Sequence, residues 1–298
     1  MASAFRTFAI AGSGSIGHDI AEELLNLRRE GMVHSVSILT RSEPTAAAPV
    51  HKLVSEGAQI HIIDYQSPST IGRALQGIDV LISNVARGVL EAQEILCLEA
   101  REAGVKLFVP SEWGPRSNET TDDIFAVKEK VRQKAMEMDL SYAVFYTGFW
   151  TDFIFEQCVL RDWFRMDFVQ NKIEIGENWD TQISFTTRRD IARFVAHVLC
   201  HSPSEERRKM MLSDMDVSFY THADLDRIIA TQDRAVPSRL LRAAAKGEFC
   251  VAVDSHKVDN CIWPSWNPER AIDVMMRMYE RRGNRSVEKV LKTSSDGA

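Results

Sequence analysis

The feature that most constrains this chain is the run Ala9-Ile10-Ala11-Gly12-Ser13-Gly14-Ser15-Ile16-Gly17 near its N-terminus. An apolar, strand-like stretch over 5–11 feeds a G-x-G-x-x-G turn. A helical pattern follows, with Ile20, Ala21, Leu24, Leu25 and Leu27 on one side. A glycine-rich hairpin could carry the same glycines. The strand before and the helix after make the motif read as a dinucleotide fingerprint. In that reading Gly12 permits the sharp turn, Gly14 lets the backbone approach a pyrophosphate, and Gly17 lets the helix pack closely on the sheet. The backbone of Gly12, Ser13, Gly14, Ser15, Ile16 and Gly17, with the positive end of the helix dipole, then holds the anion.

The segment after the helix bears on which dinucleotide is bound. Gly31 is expected to cap the helix, and 33–40 alternates and branches like a strand. Arg41 stands at its end, where a NAD-preferring fold places a carboxylate for the ribose 2′-OH. A guanidinium there suits a 2′-phosphate, through bidentate charge-assisted hydrogen bonds, and favours NADP(H). Two alternatives stay open: Glu43 could serve an NAD ribose, and Arg41 could be a solvated loop charge.

At 298 residues the chain can bury a large core. A net charge of −6 gives no reason to expect a nucleic-acid partner. No apolar run approaches the ~20 residues of a membrane span, and 5–8 leads into the first strand without a signal-peptide layout. The 5 cysteines lack C-x-x-C spacing and read as reduced thiols, so a cytoplasmic protein, monomeric or homodimeric, is expected.

Strand and helix patterns alternate onward: strands at 58–64, 79–85, 106–109 and 142–146, and helices at 68–76, 90–103 and 123–138. Six strands with intervening helices argue for an α/β fold built on a doubly wound, Rossmann-type parallel sheet. The expected division is a dinucleotide-binding domain over 1–150 and a smaller substrate lobe over 151–298. That lobe's strands (170–175, 181–186, 209–212) and helices (189–200, 224–230) return to the core, with an irregular segment around Pro237, Trp263, Pro264, Trp266 and Pro268. Ligands in such sheets sit at the carboxyl ends of the strands. That rule selects Gly12 to Gly17, Arg41, Ser83 to Arg87, Ser111 to Gly114 and Thr147 to Trp150 as pocket-facing segments.

Several chemistries are set aside. No H-E-x-x-H motif occurs, and no metal site is expected. No G-x-S-x-G elbow or P-loop appears. None of Tyr65, Tyr142, Tyr146, Tyr220 and Tyr279 is followed four residues later by lysine, so the usual short-chain reductase pair is missing.

Further along stand Pro110-Ser111-Glu112-Trp113-Gly114, then Phe125 to Lys128 with Val131-Arg132. With Leu39-Thr40-Arg41, the stretch 80–85 and Asp190-Ile191-Ala192, these make the chain resemble the NmrA-like and isoflavone-reductase-like proteins over about residues 5–215. Those proteins are atypical members of the short-chain dehydrogenase superfamily. The resemblance implies that Lys128 is the active-site lysine, lying beside the nicotinamide ribose and serving as general acid or base. A partly buried lysine next to a cationic ring has a lowered pKa, which suits that role. The bland reading is a surface helix lysine, as expected for Lys130 and Lys134.

Departures from the family pattern matter as well. Ala11 replaces the first glycine of the family's loop, and Trp113 replaces the usual phenylalanine, which would narrow the pocket. A second lysine that meets the 2′-phosphate in plant members has its nearest counterparts in His51 and Lys52, expected in a loop.

Trp113, Thr147, Phe149 and Trp150 are expected to line the substrate pocket, Trp113 and Trp150 as an aromatic wall; Tyr146 and Phe153 read as core. The cofactor set is completed by Asn84, Val85 and Ala86 with Lys128 near the nicotinamide. The resemblance thus implies an NADPH-dependent reductase of a small, largely apolar aromatic or heterocyclic molecule, reduced at an enone, imine or benzylic carbon. Two alternatives are a non-catalytic redox sensor that binds NADP(H), and a non-redox isomerase or cyclase on the same fold.

Overall fold

The computed structural model describes residues 5–42, 49–85, 90–117, 123–156, 166–167, 172–173, 184–201, 208–211, 263, 265–270, 273–274 and 277. Its centre is a five-stranded parallel sheet. The strands are β1 (Thr7–Ala11), β2 (Ser35–Thr40), β3 (Gln59–Ile62), β4 (Val80–Ser83) and β5 (Leu107–Val109), in the spatial order β3-β2-β1-β4-β5. β6 (Ala143–Tyr146) lies beside β5 through a parallel bridge between Phe108 and Tyr142, and β11 (Arg208–Met211) pairs parallel with β6. Strand order reverses between β1 and β4, so a crevice opens there beyond their carboxyl ends.

The connecting helices are α1 (Ser15–Arg29), α2 (Val50–Ser55), α3 (Pro68–Ala74), α4 (Ala92–Glu102) and α5 (Asp123–Glu137). β1, β2, β4 and β5 are largely buried on both faces, as strands covered by helices on both sides must be. Two cores result. One holds Ile10, Ile38 and Ile82 with Ile20, Leu24 and Leu25 of α1. The other, on the opposite face, holds Leu39, Leu81 and Phe108 with Leu96 and Cys97 of α4 and Val131 of α5. Asp79 ties the sheet's lower edge: its carboxylate accepts the N–H groups of Arg6 and Thr7 at 2.8 and 3.0 Å and pairs with Lys106 at 2.8 Å.

Beyond β6 the described elements are β7 (Phe149–Trp150), α6 (Thr151–Glu156), β8 (Met166–Asp167), β9 (Lys172–Ile173), β10 (Phe185–Thr186) and α7 (Arg188–His201). β10 pairs parallel with β7, and β8 pairs antiparallel with β9. α7 packs along α1, with Ile191, Phe194, Val195 and Val198 buried. Thr187 starts it with a reciprocal cap, its hydroxyl accepting the Asp190 N–H at 3.0 Å and donating to the Asp190 carboxylate at 2.8 Å. Asp190 also accepts the Glu269 N–H at 2.8 Å, so this helix start anchors the segment 265–270. His201, His197 and Trp263 stack on one another at 4.2 and 4.1 Å.

Gly31 ends α1 as expected, at φ +81° directly after Glu30, with the Met32 N–H donating to the Leu27 carbonyl at 3.0 Å. Two local expectations are corrected. The segment with His51 and Lys52 is helix α2, not a loop, and Lys52 is drawn to Glu22 of α1. Phe153, expected in the core, is only half-buried and meets Trp150 edge-on at 6.2 Å. The helix expected at 224–230 and the residues Pro237 and Pro264 lie outside the described residues. Among the described residues no helix is long and apolar enough to cross a membrane.

Candidate functional site: a glycine turn and a buried charge cluster at the sheet's carboxyl edge

The β1–α1 turn sits at the strand-order reversal. Gly12 has φ +97°, and a Cβ there would lie 2.8 Å from the Asn84 carbonyl oxygen, so the turn presses against the end of β4. A Cβ on Gly17 would lie 2.1 Å from the Gly12 carbonyl oxygen, which holds α1 tight against the turn. Gly14 differs: a Cβ there would meet nothing within 4 Å. It is the N-cap of α1, and no side chain caps the helix. The first N–H groups of a 15-residue helix therefore face open space above Gly14, flanked by half-buried Ser13 and exposed Ser15. Ile16 is buried beneath.

Asn84 lies under this turn. Its N–H donates to the Ala11 carbonyl at 2.8 Å, whereas both polar atoms of its side-chain amide are buried without a partner among the described residues. Buried amides are normally satisfied, so this one marks a place for a further polar group. Val85 comes next and is buried; Ala86, Arg87 and Glu43 lie outside the described residues. Arg41 is exposed at the end of β2, close enough to Tyr65 to oppose the burial that raises the Tyr65 pKa.

After β5 the chain makes the second half of the site. Gln93 accepts the Ser111 N–H at 2.7 Å, and the Ser111 hydroxyl donates to the Val85 carbonyl at 3.2 Å, joining the two strand ends. Trp113 has φ +39°, an outlier for a bulky residue that costs roughly 1–2 kcal/mol. Its indole N–H donates to the Ser83 carbonyl at 3.1 Å, and its ring stacks on Phe145 at 5.9 Å. These contacts hold the strained backbone, but they also leave Trp113 only 8% exposed. It is packed into the core rather than presented as an open wall.

Lys128 of α5 reaches this loop. Its side chain is 13% exposed, and its Nζ donates to the Glu112 main-chain carbonyl, stands 3.8 Å from the Glu112 carboxylate and lies over the Phe125 ring at 5.8 Å. Glu112 is buried, and its carboxylate also receives Arg132 of α5 and the Ser117 hydroxyl, the latter at 2.8 Å. Arg132 also pairs with Glu129. Burial works most strongly against the Arg132 charge, but Glu112, Tyr146 and Glu129 together outweigh it and raise the Arg132 pKa. Burial, with Glu112 nearby, pushes the Tyr146 hydroxyl up to about 12, so it stays protonated. Lys130 instead points outward to Glu94 at 2.8 Å.

Of the residues expected at the substrate pocket, Thr147 and Phe149 are buried. Trp150 is half-buried, its N–H 3.2 Å from the Thr147 hydroxyl. Sequence reasoning left Glu112, Ser117 and Arg132 without a role. Arg132 lies four residues after Lys128, one helical turn on the same face, and that spacing is the signal that could have found it. His197 and His201 also stand four apart on α7, but they stack with Trp263, and among the described residues no three metal-binding side chains converge.

A parallel sheet with an uncapped glycine turn at its switch point defines a Rossmann-type dinucleotide-binding fold. The family model described as the NmrA-like family matches residues 6–225, and the chain belongs to that family. It is similar to "Oxidoreductase aprR" of Aspergillus flavus, 24% identical over 221 residues that span 72% of this chain and 70% of that protein. It is also similar to "Asnovolin J 5',6'-dehydrogenase nvfM" of Aspergillus novofumigatus, 23% identical over 233 residues, 77% and 69% of the two chains. Among solved structures it shares its fold with AtPrR2 bound to NADP+ and (+)pinoresinol. That match has a TM-score of 0.75 at 16% identity and covers 93% of this chain and 100% of that one.

Proposed function

We propose that this chain is an NADPH-dependent reductase acting on a small, largely apolar aromatic or heterocyclic molecule. The observation that carries the reading is the uncapped start of α1 above Gly14, a cradle with space for a pyrophosphate and amides aimed at it. The oxidoreductase names of the relatives, and the NADP+ and pinoresinol of the structural neighbour, support it.

In this reading the backbone of Gly12 to Gly17 binds the pyrophosphate and Arg41 binds the 2′-phosphate. Asn84 and Val85, with Ala86, border the nicotinamide end, where the orphaned Asn84 amide offers a donor and an acceptor. When bound, NADPH supplies the hydride. Lys128 holds a proton at Nζ at the mouth of the site and gives it to the substrate, while Trp150 and Phe149 border the substrate space. Residues from 151 onward form the substrate-side lobe.

Calorimetric titration with NADPH and NADH tests the cofactor assignment. Strong preference for NADPH is expected, and failure to bind either nucleotide would refute it. Lys128→Ala should cut turnover at least tenfold while NADPH affinity stays within a few fold. Equal turnover in variant and wild type would remove Lys128 from the chemistry.

A further inference from the structure

Lys128 does not stand alone. Its ammonium is held by the main-chain oxygen of Glu112, and the carboxylate of the same residue lies 3.8 Å away. One residue thus contacts Lys128 through two groups. The left-handed backbone at Trp113 turns the chain directly after that carbonyl, and the indole bond to Ser83 and the stack on Phe145 keep it there. The Glu112 carboxylate is fixed in turn by Arg132 and Ser117, and all three residues are at least 97% buried.

Among the described residues Glu112 and Glu129 face Lys128 and Arg132 here, two carboxylates against two cations. Tyr146 of β6, which stays neutral near pH 7, lies close to Glu112 and Arg132. Glu112 stands between two cations that would otherwise repel each other in a poorly hydrated site.

We propose that Glu112 is the positioning residue for Lys128. Its carbonyl fixes where the Nζ sits, and its carboxylate, shared with Arg132 and Ser117, sets how tightly Lys128 keeps its proton. The inference rests on the reading of Lys128 as the proton donor only for its catalytic consequence; the positioning itself is testable without substrate or nucleotide.

The test is NMR of protein labelled with 13Cε,15Nζ-lysine, the Lys128 signals assigned by their loss in Lys128→Arg. In the wild-type protein the Lys128 ammonium protons should exchange slowly with solvent, because the Glu112 carbonyl holds them. A rapidly exchanging ammonium would overturn the proposal and requires no variant to fold. In Glu112→Gln the 13Cε titration midpoint should fall by about one pH unit or more, the shift expected when an opposite charge within ~4–6 Å is removed. In Arg132→Gln it should rise, because Glu112 is then left to Lys128 alone.

Opposite displacements separate positioning from general destabilisation, which would move the melting temperature of both variants but not the two midpoints in opposite senses. Unmoved midpoints in folded variants would overturn the proposal. In steady-state assays Glu112→Gln should lower kcat about tenfold with KM little changed, and shift the pH profile in the same sense as the NMR midpoint. Should Lys128→Ala retain full turnover while the midpoints move as stated, the catalytic reading fails and the positioning stands.

Discussion

Gly14→Ala and Gly17→Ala separate ligand recognition from packing within one turn. At Gly17 the added methyl would sit 2.1 Å from a main-chain oxygen, against 3.4 Å or more for ordinary contact, so α1 and the turn must part by about 1 Å. Alanine inside a helix gains ~1 kcal/mol of propensity over glycine. Overpacking costs ~1–3 kcal/mol, and a backbone-on-backbone clash belongs at the upper end. The net loss is about 2 kcal/mol, which for a chain of this size lowers Tm by about 3 °C.

Gly14 should behave in the opposite way. Its φ of −66° and ψ of −172° suit alanine, and the methyl meets nothing. Only the weaker N-cap preference of alanine, roughly 0.5–1 kcal/mol, works against it, for a drop of about 1 °C. The methyl would nevertheless fill the space assigned to the pyrophosphate, and NADPH affinity should fall at least tenfold, about 1.4 kcal/mol. Scanning calorimetry gives Tm, and titration calorimetry gives Kd. Undiminished NADPH binding by Gly14→Ala would refute the placement of the pyrophosphate over this turn. An unchanged Tm for Gly17→Ala would refute the packing argument.

Other parts of the molecule lead to three further expected outcomes. Arg41→Ala should weaken NADPH by roughly tenfold or more and leave NADH nearly unchanged, since a charge-assisted pair contributes about 1.5–3 kcal/mol and the bare hydroxyl offers it little; equal losses for both nucleotides would place the 2′-phosphate elsewhere. Trp150→Ala should raise KM for an aromatic substrate several-fold with little change in Tm, because the ring is only half-buried; an unchanged KM would remove Trp150 from the pocket. At Asp79, burial raises the pKa, but the Lys106 pair and the N–H groups of Arg6 and Thr7 lower it further, to a net depression. Its contribution to stability is therefore present above pH ~3.8 and lost as the pH falls through the folded value. Denaturant titrations of Asp79→Asn should show a deficit at pH 7 that narrows below pH 4; a constant deficit would mean that the charge is not the cause.

The patterns that local order can encode were legible in the sequence. The period-2 apolar strands, the glycine turn and the breaks between helices are near-neighbour patterns, and β1, α1, β2, β4 and α5 lie within a few residues of where those patterns put them. α2 was not legible. It is only six residues long, and much of its surroundings comes from α1, where Glu22 meets Lys52. The glycine motif likewise announced a turn, but it did not say that Gly17 is pinned by the Gly12 carbonyl while Gly14 opens onto space; that depends on how α1 leans on β4.

Trp113 makes the same point. Its type and position suggested a pocket wall, yet Ser83 and Phe145, far away in the chain, draw the ring into the core. The motif around Glu112 and the helix bearing Lys128 and Arg132 could each be read in one dimension. Only folding brings a buried carboxylate of one between two cations of the other, because a charge cluster depends on distances in space and on the exclusion of water, and neither is written in residue spacing.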